Sequence, residues 1–382
     1  MKNNVLLTAS LAALCSLTSC AQSNVPQVEG SRTDFAMSFF RSVNASTPKS
    51  DNVVISPYSA GVALSMLMEG AEGQTRAELD NALNGCVFKV EDLGGEDITV
   101  ASANSIWIDD DFSVRNHYVN VLQKDYDALV ETLNFADPAT LHAINNWCSE
   151  HTEGKITEIL DRLSPNMVMV LLNALYFNAP WENEFDPART SDDVFKGREG
   201  DSTVKMMYRK GTYSYAEYQG CQMIALPYKG LKYAMYVVLP SEKMNVEDII
   251  PYINNTTYKS ALQAMEQCEV AFRMPKLKLE TSLVLNETLK RMGVESAFTS
   301  AADLKGISVM GPLVVDKVQQ KCYIDVSEGG TEAAAVTSIQ IRLTSARPSQ
   351  NLKKMTVDRP YLFFIADTET DNILFAGKIV KI

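Results

Sequence analysis

The sequence predicts an α+β fold, in which helices dominate the first third of the chain and strands dominate the remainder. Helical periodicity is clearest in the early segments, whereas runs of β-branched and aromatic residues separated by turn residues follow from Met167 onward. The two kinds of element do not alternate as βαβ units, and the sequence contains no internal repeat. We therefore expect mostly antiparallel strands beside a separate group of helices.

Four segments are predicted to be helices. The first has apolar residues at helical spacing, and the second is a run of small and apolar residues typical of a buried helix. The third begins near Thr75 with charged residues on its solvent side, and the fourth opens with Asp137 before Pro138, a residue favoured in the first helical turn. The segments are Phe35–Val43, Ser59–Leu67, Thr75–Asp80 and Asp137–Gly154.

Five runs rich in β-branched and aromatic residues are predicted to be strands. Turn residues at Tyr228–Gly230 and Thr368–Asp371 favour antiparallel neighbours. The runs are Met167–Phe177, Met223–Leu226, Tyr233–Leu239, Val270–Met274 and Tyr361–Ile382.

The segment from Glu328 to Ser345 carries conflicting signals. Its odd positions from Thr331 to Leu343 are small or apolar and its even positions are mostly polar, which is the alternation of a half-buried strand. It begins at a Gly-Gly pair that can act as a hinge, in a place where the local chemistry indicates a flexible loop. Thr331–Ala335 is equally compatible with the start of a helix. The pattern predicts a segment that is a strand only part of the time.

Composition is that of an ordinary globular protein, because 46% of the 382 residues are hydrophobic and 21% are charged. The net charge of −12 argues against nonspecific binding to nucleic acid or to anionic membrane surfaces. We expect no nucleic-acid partner.

The first 20 residues are typical of an export signal. A short region with Lys2 precedes an apolar run, Val5 to Leu17, that is too short to span a membrane. Leu17–Cys20 (LTSC) resembles a bacterial lipobox, which implies a signal peptide over residues 1–19 and lipid attachment to Cys20, with residues 20–30 as a polar tether. The alternative is an ordinary secretion signal with an incidental cysteine. We expect an exported protein, lipid-anchored to the bacterial cell envelope at the outer membrane.

The sequence offers no evident catalytic, metal or cofactor site. It has three histidines and no HExxH pair, GxSxG elbow, Walker loop or GxGxxG. Asp109–Asp111 is interpreted as a solvated turn. The five cysteines after Cys20 are widely spaced and contain no CxxC pair, so they predict buried thiols without a disulfide framework. We expect no enzyme, no metal and no cofactor.

Several motifs occur in the order found in the serpins. They are Asn52–Ser59 (NVVISPYS), Gly70–Leu79 (GAEGQTRAEL), Ile144–Trp147, Thr152–Ile156, Leu172–Phe177 (LNALYF) with Trp181 and Phe185–Pro187, Glu328–Ala335, and Asp358–Phe364 (DRPYLFF). From about residue 31 to residue 382 the chain therefore resembles a serpin. The resemblance implies a single α+β domain over residues 31–382, with three β-sheets, eight or nine helices and an exposed reactive-centre loop.

In that family a target protease cleaves the loop, which then inserts as a new strand into the central sheet. The resemblance implies an inhibitor of serine endopeptidases, and of cysteine endopeptidases, by suicide-substrate trapping, since only enzymes that form an acyl intermediate stay attached. It places the hinge at Glu328, Gly329, Gly330, Thr331, Glu332, Ala333, Ala334 and Ala335. The hinge side chains that insert first are small and uncharged, as inhibitory members require.

The reactive bond is predicted at Thr344-Ser345, because in the family it follows the seventeenth residue counted from the hinge glutamate. Counting back from Pro360 moves it toward Ser349, and a trypsin-like enzyme would use Arg342-Leu343. Elastase-like, papain-like and trypsin-like proteases are therefore all candidate partners of a protein that we expect to be a monomer.

The resemblance also assigns a region where the central sheet opens. Ser56, Ser59 and Asn173 resemble its polar cluster, and Trp181 resembles the aromatic residue at the top of the sheet. Gln320 stands where many relatives have histidine, which removes a possible pH-sensitive group.

Three rival hypotheses are also compatible with the sequence. A non-inhibitory serpin acting as a binding or chaperone-like protein, and a surface lipoprotein whose loop is a protease decoy, both predict cleavage without a covalent complex. A hydrolase with noncontiguous catalytic residues predicts turnover and needs a base that three histidines do not obviously provide.

Overall fold

The computed structural model describes residues 31–95, 97–310, 313–331, 352–370 and 372–382. Within these residues there are eight α-helices and three short 3-10 helices, the latter at Pro187–Arg189, Ile250–Tyr252 and Ser296–Phe298. The α-helices are α1 (Arg32–Ser46), α2 (Pro57–Glu69), α3 (Gly73–Ala82), α4 (Asn116–Tyr126), α5 (Pro138–His151), α6 (Val246–Ile249), α7 (Asn255–Gln263) and α8 (Asn286–Arg291).

Fifteen strands occur in the same residues. They are β1 (Val53–Ile55), β2 (Thr99–Asp109), β3 (Leu129–Leu133), β4 (Met169–Pro180), β5 (Ser191–Gly197), β6 (Gly200–Tyr218), β7 (Cys221–Pro227), β8 (Tyr233–Pro240), β9 (Glu266–Pro275), β10 (Leu277–Val284), β11 (Lys317–Val326), β12 (Gly330–Thr331), β13 (Lys353–Thr356), β14 (Tyr361–Asp367) and β15 (Ile373–Ile379).

The strands form a six-stranded sheet and a nine-stranded sheet. The smaller has the order β10-β11-β12-β4-β2-β3, with a further direct pairing of β11 with β4. The larger has the order β1-β15-β14-β8-β7-β6-β9-β13, with β5 also paired to β6. The 19-residue strand β6 pairs with β5, β9 and β7 along its length, so it joins two strand sets into one hydrogen-bonded sheet. The predicted α+β fold is confirmed. Of the three sheets expected from the resemblance, two share β6 and form the single nine-stranded sheet.

The main hydrophobic core lies between the two sheets and around α1 and α2. Helix α2 is buried along nearly its whole length, and Phe35, Phe39 and Phe40 of α1 are fully buried. A smaller core contains Trp107 and Ile144 and lies where α5 covers β2 and β4. The six-stranded sheet thus has buried side chains on both faces.

The four predicted helices are confirmed as α1, α2, α3 and α5. The cap of α5 is the expected one, since the Asp137 carboxylate accepts a hydrogen bond from the Ala139 backbone N–H at 2.9 Å. Helix α3 begins at Gly73 rather than near Thr75, whose hydroxyl is instead 2.9 Å from that of Ser296 in a buried contact. None of the described helices is long and apolar enough to cross a membrane.

Candidate functional site

A seam runs through the six-stranded sheet where β4 and β11 meet. Along the seam, Val170–Tyr176 of β4 pair in parallel with Lys317–Tyr323 of β11. At its upper end the two-residue strand β12 lies between them, and Thr331 pairs antiparallel with Ala179 on one side and with Val326 on the other. The first residues of an additional strand therefore already occupy the seam.

The register of the seam is the same above and below this entry point. Val170 is opposite Lys317 in the direct pairing, and Ala179 is opposite Val326 across Thr331, so the partners differ by 147 positions in both places (317 against 170, 326 against 179). A strand that continued from Thr331 down the seam would need β4 and β11 to separate sideways. Neither strand would have to slide along the other.

A tight turn carries the chain from β11 into β12. The Ser327 N–H donates to the Gly330 carbonyl at 2.8 Å, and the Gly330 N–H donates back at 3.3 Å. Gly330 has φ of +156°, and a Cβ atom there would lie 2.2 Å from the Ala179 carbonyl oxygen. Glycine is required at this position because β12 could not otherwise approach β4.

Trp181 anchors this turn to the end of β4. Its indole Nε1–H donates to the Ser327 carbonyl at 3.0 Å, and its backbone N–H donates to the Gly329 carbonyl at 2.9 Å. The indole is stacked on Tyr228 with ring centroids 4.5 Å apart, and the Tyr228 hydroxyl lies 2.6 Å from that of Thr331. Burial raises the pKa of the Tyr228 phenol, so this hydroxyl stays protonated.

Glu328 holds the turn from its other side. Its carboxylate accepts hydrogen bonds from Lys276 at 2.7 Å and from the Thr190 hydroxyl at 2.9 Å, and its carbonyl accepts from the Phe185 N–H at 2.9 Å. Burial disfavours the ionised carboxylate, but the hydrogen bonds from Lys276, its own backbone and Thr190 outweigh it and lower the pKa of Glu328. The hinge glutamate is therefore ionised and fixed.

A polar cluster lies across the middle of the seam. We use this name for Ser56, Ser59, Asn104, Asn173 and Gln320, all of which are buried. Gln320 of β11 accepts from the Ser56 N–H at 3.0 Å and donates to the Ser56 carbonyl at 2.9 Å and to Asn173 Oδ1 at 2.8 Å. Asn173 of β4 donates in turn to the Ser59 carbonyl at 3.1 Å and to the Ser59 hydroxyl.

The cluster ties both strands of the seam to the first turn of α2. Ser56 caps that helix, with its hydroxyl accepting from the Ser59 N–H at 3.1 Å. Asn173 and Gln320 are direct cross-strand partners, so their mutual hydrogen bond spans the line along which β4 and β11 would separate. A strand entering the seam would have to replace that bond.

Four of the five residues assigned to sheet opening from the sequence are thus brought together, while Trp181 lies apart at the top with the hinge. Asn104 was not predicted from the sequence; its Oδ1 accepts from Asn173 Nδ2 at 2.6 Å. Asn104 of β2 is the cross-strand partner of Asn173. The only sequence feature that could have indicated it is that Asn104 is a single amide side chain in an otherwise small and apolar run of β2.

Other predicted site residues lie outside the described residues. They are Cys20, the hinge residues Glu332, Ala333, Ala334 and Ala335, and the reactive-bond residues Thr344 and Ser345. Of the hinge, Glu328, Gly329, Gly330 and Thr331 are described, and all four are buried.

The histidines and the Asp109–Asp111 turn considered for catalysis or metal binding are not members of the seam's polar cluster, whereas Cys322 lies in β11, two residues from Gln320. His117, His142 and His151 are all exposed. One carboxylate oxygen of Asp109 accepts from the Asp111 backbone N–H at 3.1 Å, as in a turn, and the other accepts from the Phe135 backbone N–H at 3.0 Å. The cysteines at 86, 148, 221, 268 and 322 form no disulfide among the described residues, and three of them are buried.

Comparisons with known proteins agree on one family. A family model described as serpin (serine protease inhibitor) matches residues 30–382. The leukocyte elastase inhibitor of Sus scrofa is 32% identical over 92% of this chain and 99% of its own length, and serpin B8 of Homo sapiens is 33% identical over 90% and 96%. The native-state crystal structure of the thermophilic serpin tengpin superposes with a TM-score of 0.84 at 30% identity, covering 92% of this chain and 93% of tengpin.

Proposed function

The chain belongs to the serpin family, and on that premise we propose that it traps serine endopeptidases, and cysteine endopeptidases, by inserting its cleaved loop into the seam. The single observation that carries the proposal is Thr331 paired with both β4 and β11 at the top of that seam. Strand addition of this kind supplies main-chain hydrogen bonds on both sides of the new strand.

Continuing the antiparallel register of Thr331 gives each later loop residue a defined pair of neighbours. Side chains at odd positions then share the face on which Thr331 contacts Tyr228, the face of the main core. The resulting places are Ala333 between Phe177 and Ile324, Ala335 between Leu175 and Cys322, Thr337 between Asn173 and Gln320, and Ile339 between Leu171 and Val318. Small or apolar residues thus meet the apolar core, and the one hydroxyl meets the polar cluster.

The same register supports a large driving force. Each inserted residue forms ladder bonds with β4 and with β11, whereas only one ladder between those strands is lost. A net gain of about 0.5–1.5 kcal/mol per bond over roughly ten residues, with about 1.5–3 kcal/mol for each buried isoleucine, gives on the order of 10–20 kcal/mol. That is comparable with the whole stability of a typical domain.

The test is the substitution Thr331→Arg, with Thr331→Ser as the matched control that keeps the hydroxyl. Thr331 is fully buried, so arginine would place an unpaired charge at the start of insertion. We expect wild type and Thr331→Ser to form protease complexes that survive boiling detergent with an elastase-like, a papain-like or a trypsin-like enzyme. Thr331→Arg should instead be cleaved, with its covalent yield reduced at least about tenfold.

Two outcomes separate the alternatives. Complexes formed by Thr331→Arg at the wild-type yield would show that insertion is not the trapping step. Cleavage of the wild type by all three enzymes without any complex would favour the non-inhibitory binding or chaperone-like protein instead. Sequencing the cleaved loop locates the reactive bond, for which we propose Thr344-Ser345.

We further propose, from the sequence alone, that the mature chain is a monomer tethered to the bacterial cell envelope through a lipid on Cys20. Palmitate labelling of the wild type but not of Cys20→Ser in a bacterial host is the deciding measurement.

A further inference from the structure

A small cavity lies behind Trp181, the residue that anchors the turn from β11 into β12, between the end of β4 and the nine-stranded sheet. Its volume is about 100 Å³, and its walls include Trp181, Phe185, Tyr213 and Pro227. An engineered apolar cavity of about 150 Å³ accepts benzene, so this smaller cavity encloses only part of a single ring or a branched alkyl group, and the rest of the occupant extends through its open side.

Arg209 is the only charged side chain among the described residues that line the cavity. Its guanidinium carbon lies 5.1 Å from the centroid of the Tyr213 ring, and it is ion-paired with no carboxylate within residues 31–95, 97–310, 313–331, 352–370 and 372–382. No carboxylate of the described residues neutralises this half-buried guanidinium in a chain of net charge −12, so its N–H groups can serve an anion. Arginine binds carboxylates through two parallel hydrogen bonds.

Two residues of the cavity wall also hold the turn from β11 into β12 in place. Trp181 donates hydrogen bonds to the carbonyls of Ser327 and Gly329, and the Phe185 N–H donates to the Glu328 carbonyl. An occupant that packs against these two rings would restrict their movement. Its contacts would therefore reach the turn that carries Thr331 into the seam.

We propose that this cavity binds a small organic carboxylate with an aromatic or branched apolar body, its carboxylate on Arg209 and its body against Trp181 and Phe185. Binding does not depend on protease trapping. The consequence for loop insertion, namely that the occupant stabilises the docked hinge, rests on the proposed function.

The experiment is calorimetric titration of the full chain with benzoate and with benzamide, its neutral isostere, while indole emission is followed in parallel. We expect saturable benzoate binding below about 20 mM with a change in emission, and binding of benzamide at least about tenfold weaker. Arg209→Gln should lower the benzoate affinity at least about tenfold and remove the preference over benzamide. The matched control is Arg189→Gln, since Arg189 likewise covers a tyrosine ring, that of Tyr208 at 4.3 Å, but does not line the cavity.

Equal binding of benzoate and benzamide to the wild type would overturn the proposal, and so would the absence of saturation at 20 mM. An equal loss of affinity in the Arg209→Gln and Arg189→Gln variants would also overturn it, by indicating a general charge effect. Because the comparison of the two ligands uses the wild-type chain, it stands even if Arg209→Gln folds poorly. None of these results depends on whether the chain traps proteases.

Discussion

The side-chain amide of Gln320, which does not titrate, forms three hydrogen bonds to backbone and side-chain groups. Its carbonyl accepts from the Ser56 N–H, while its amide nitrogen donates to the Ser56 carbonyl and to Asn173. A neutral imidazole has one donor and one acceptor, and an imidazolium has two donors and no acceptor. Glutamine therefore makes the polar cluster insensitive to pH over the range in which histidine titrates.

The first prediction at this scale is that Gln320→His creates a pH dependence that the wild type lacks. Burial disfavours the imidazolium, so the folded pKa should fall below the unfolded value of about 6.5. A lowered pKa means that the unfolded chain binds the proton more readily, and the free energy of unfolding then decreases as pH falls. One group with an unfolded pKa of about 6.5 contributes at most about 1.4 kcal/mol between pH 8 and pH 5.5, so we expect the midpoint of thermal unfolding to drop by roughly 1–3 °C over that range.

The control is Gln123→His on the exposed side of α4, which should follow the wild type across the same pH range. A flat profile for Gln320→His would mean that the buried cluster does not discriminate between the protonation states of the new imidazole. The difference in unfolding midpoint between variant and wild type is taken at each pH, and only its change with pH is interpreted. The constant cost of the lost hydrogen bond then cancels.

At the scale of elements, the turn that joins β11 to β12 is held by an ion pair to a residue outside the hairpin. Lys276, immediately before β10, contacts the Glu328 carboxylate at 2.7 Å, and the side chain of Glu328 is only 11% exposed. Because the pKa of Glu328 is lowered, its contribution to docking is complete above the usual value of 4.5 and is lost as pH falls through the folded pKa.

We predict that Lys276→Gln loosens the hairpin at neutral pH, since it leaves a buried carboxylate without its cation. Amide hydrogen exchange of residues 327–331 should become at least about tenfold faster, and wild type should approach the variant's behaviour as pH falls through the lowered pKa of Glu328. Lys278→Gln is the matched control, because Lys278 is 72% exposed and lies 3.8 Å from Asp325 on the neighbouring strand. Equal exchange in all three proteins would assign the docking to Trp181 and the glycine turn alone.

The elements differed in how well the sequence predicted them. Runs such as those in β8 and β14 are apolar and β-branched or aromatic, and their burial follows directly from that composition. Strand β11 was missed because it contains Gln319, Gln320 and Lys321, which are polar residues that become buried only through partners far away in the chain. Helix α4 was missed although Tyr118, Leu122 and Tyr126 have helical spacing.

The functional site was predictable where motifs carried it and unpredictable where strand pairing did. Ser56, Ser59, Asn173 and Gln320 were singled out by resemblance, and the structure places them in contact. Asn104 entered the cluster only through the antiparallel register of β2 with β4, which no local pattern specifies. The same limit applies to the cavity, whose walls come from β6, β7 and the segment after β4.

At the scale of the whole molecule, the proposed insertion changes the six-stranded sheet into one with a full central strand. We predict that cleavage within residues 342–349 raises the midpoint of thermal unfolding by about 20 °C, since 10–20 kcal/mol acts at roughly 1–2 °C per kcal/mol in a domain of this size. Calorimetry of intact and cleaved protein measures the shift. Thr331→Arg cleaved in the same way is the control and should show little of the increase; an unchanged midpoint for cleaved wild type would contradict insertion.

The constant offset of 147 positions along the seam has a kinetic consequence for this change. Since no register shift is needed, insertion can advance one rung at a time, and each bond broken between β4 and β11 is replaced at once by bonds to the incoming residue. The activation barrier then reflects the cost of opening a single rung and does not grow with the length of strand added. Speed and final stability become separate properties, the first set at the polar cluster and the second by the number of rungs.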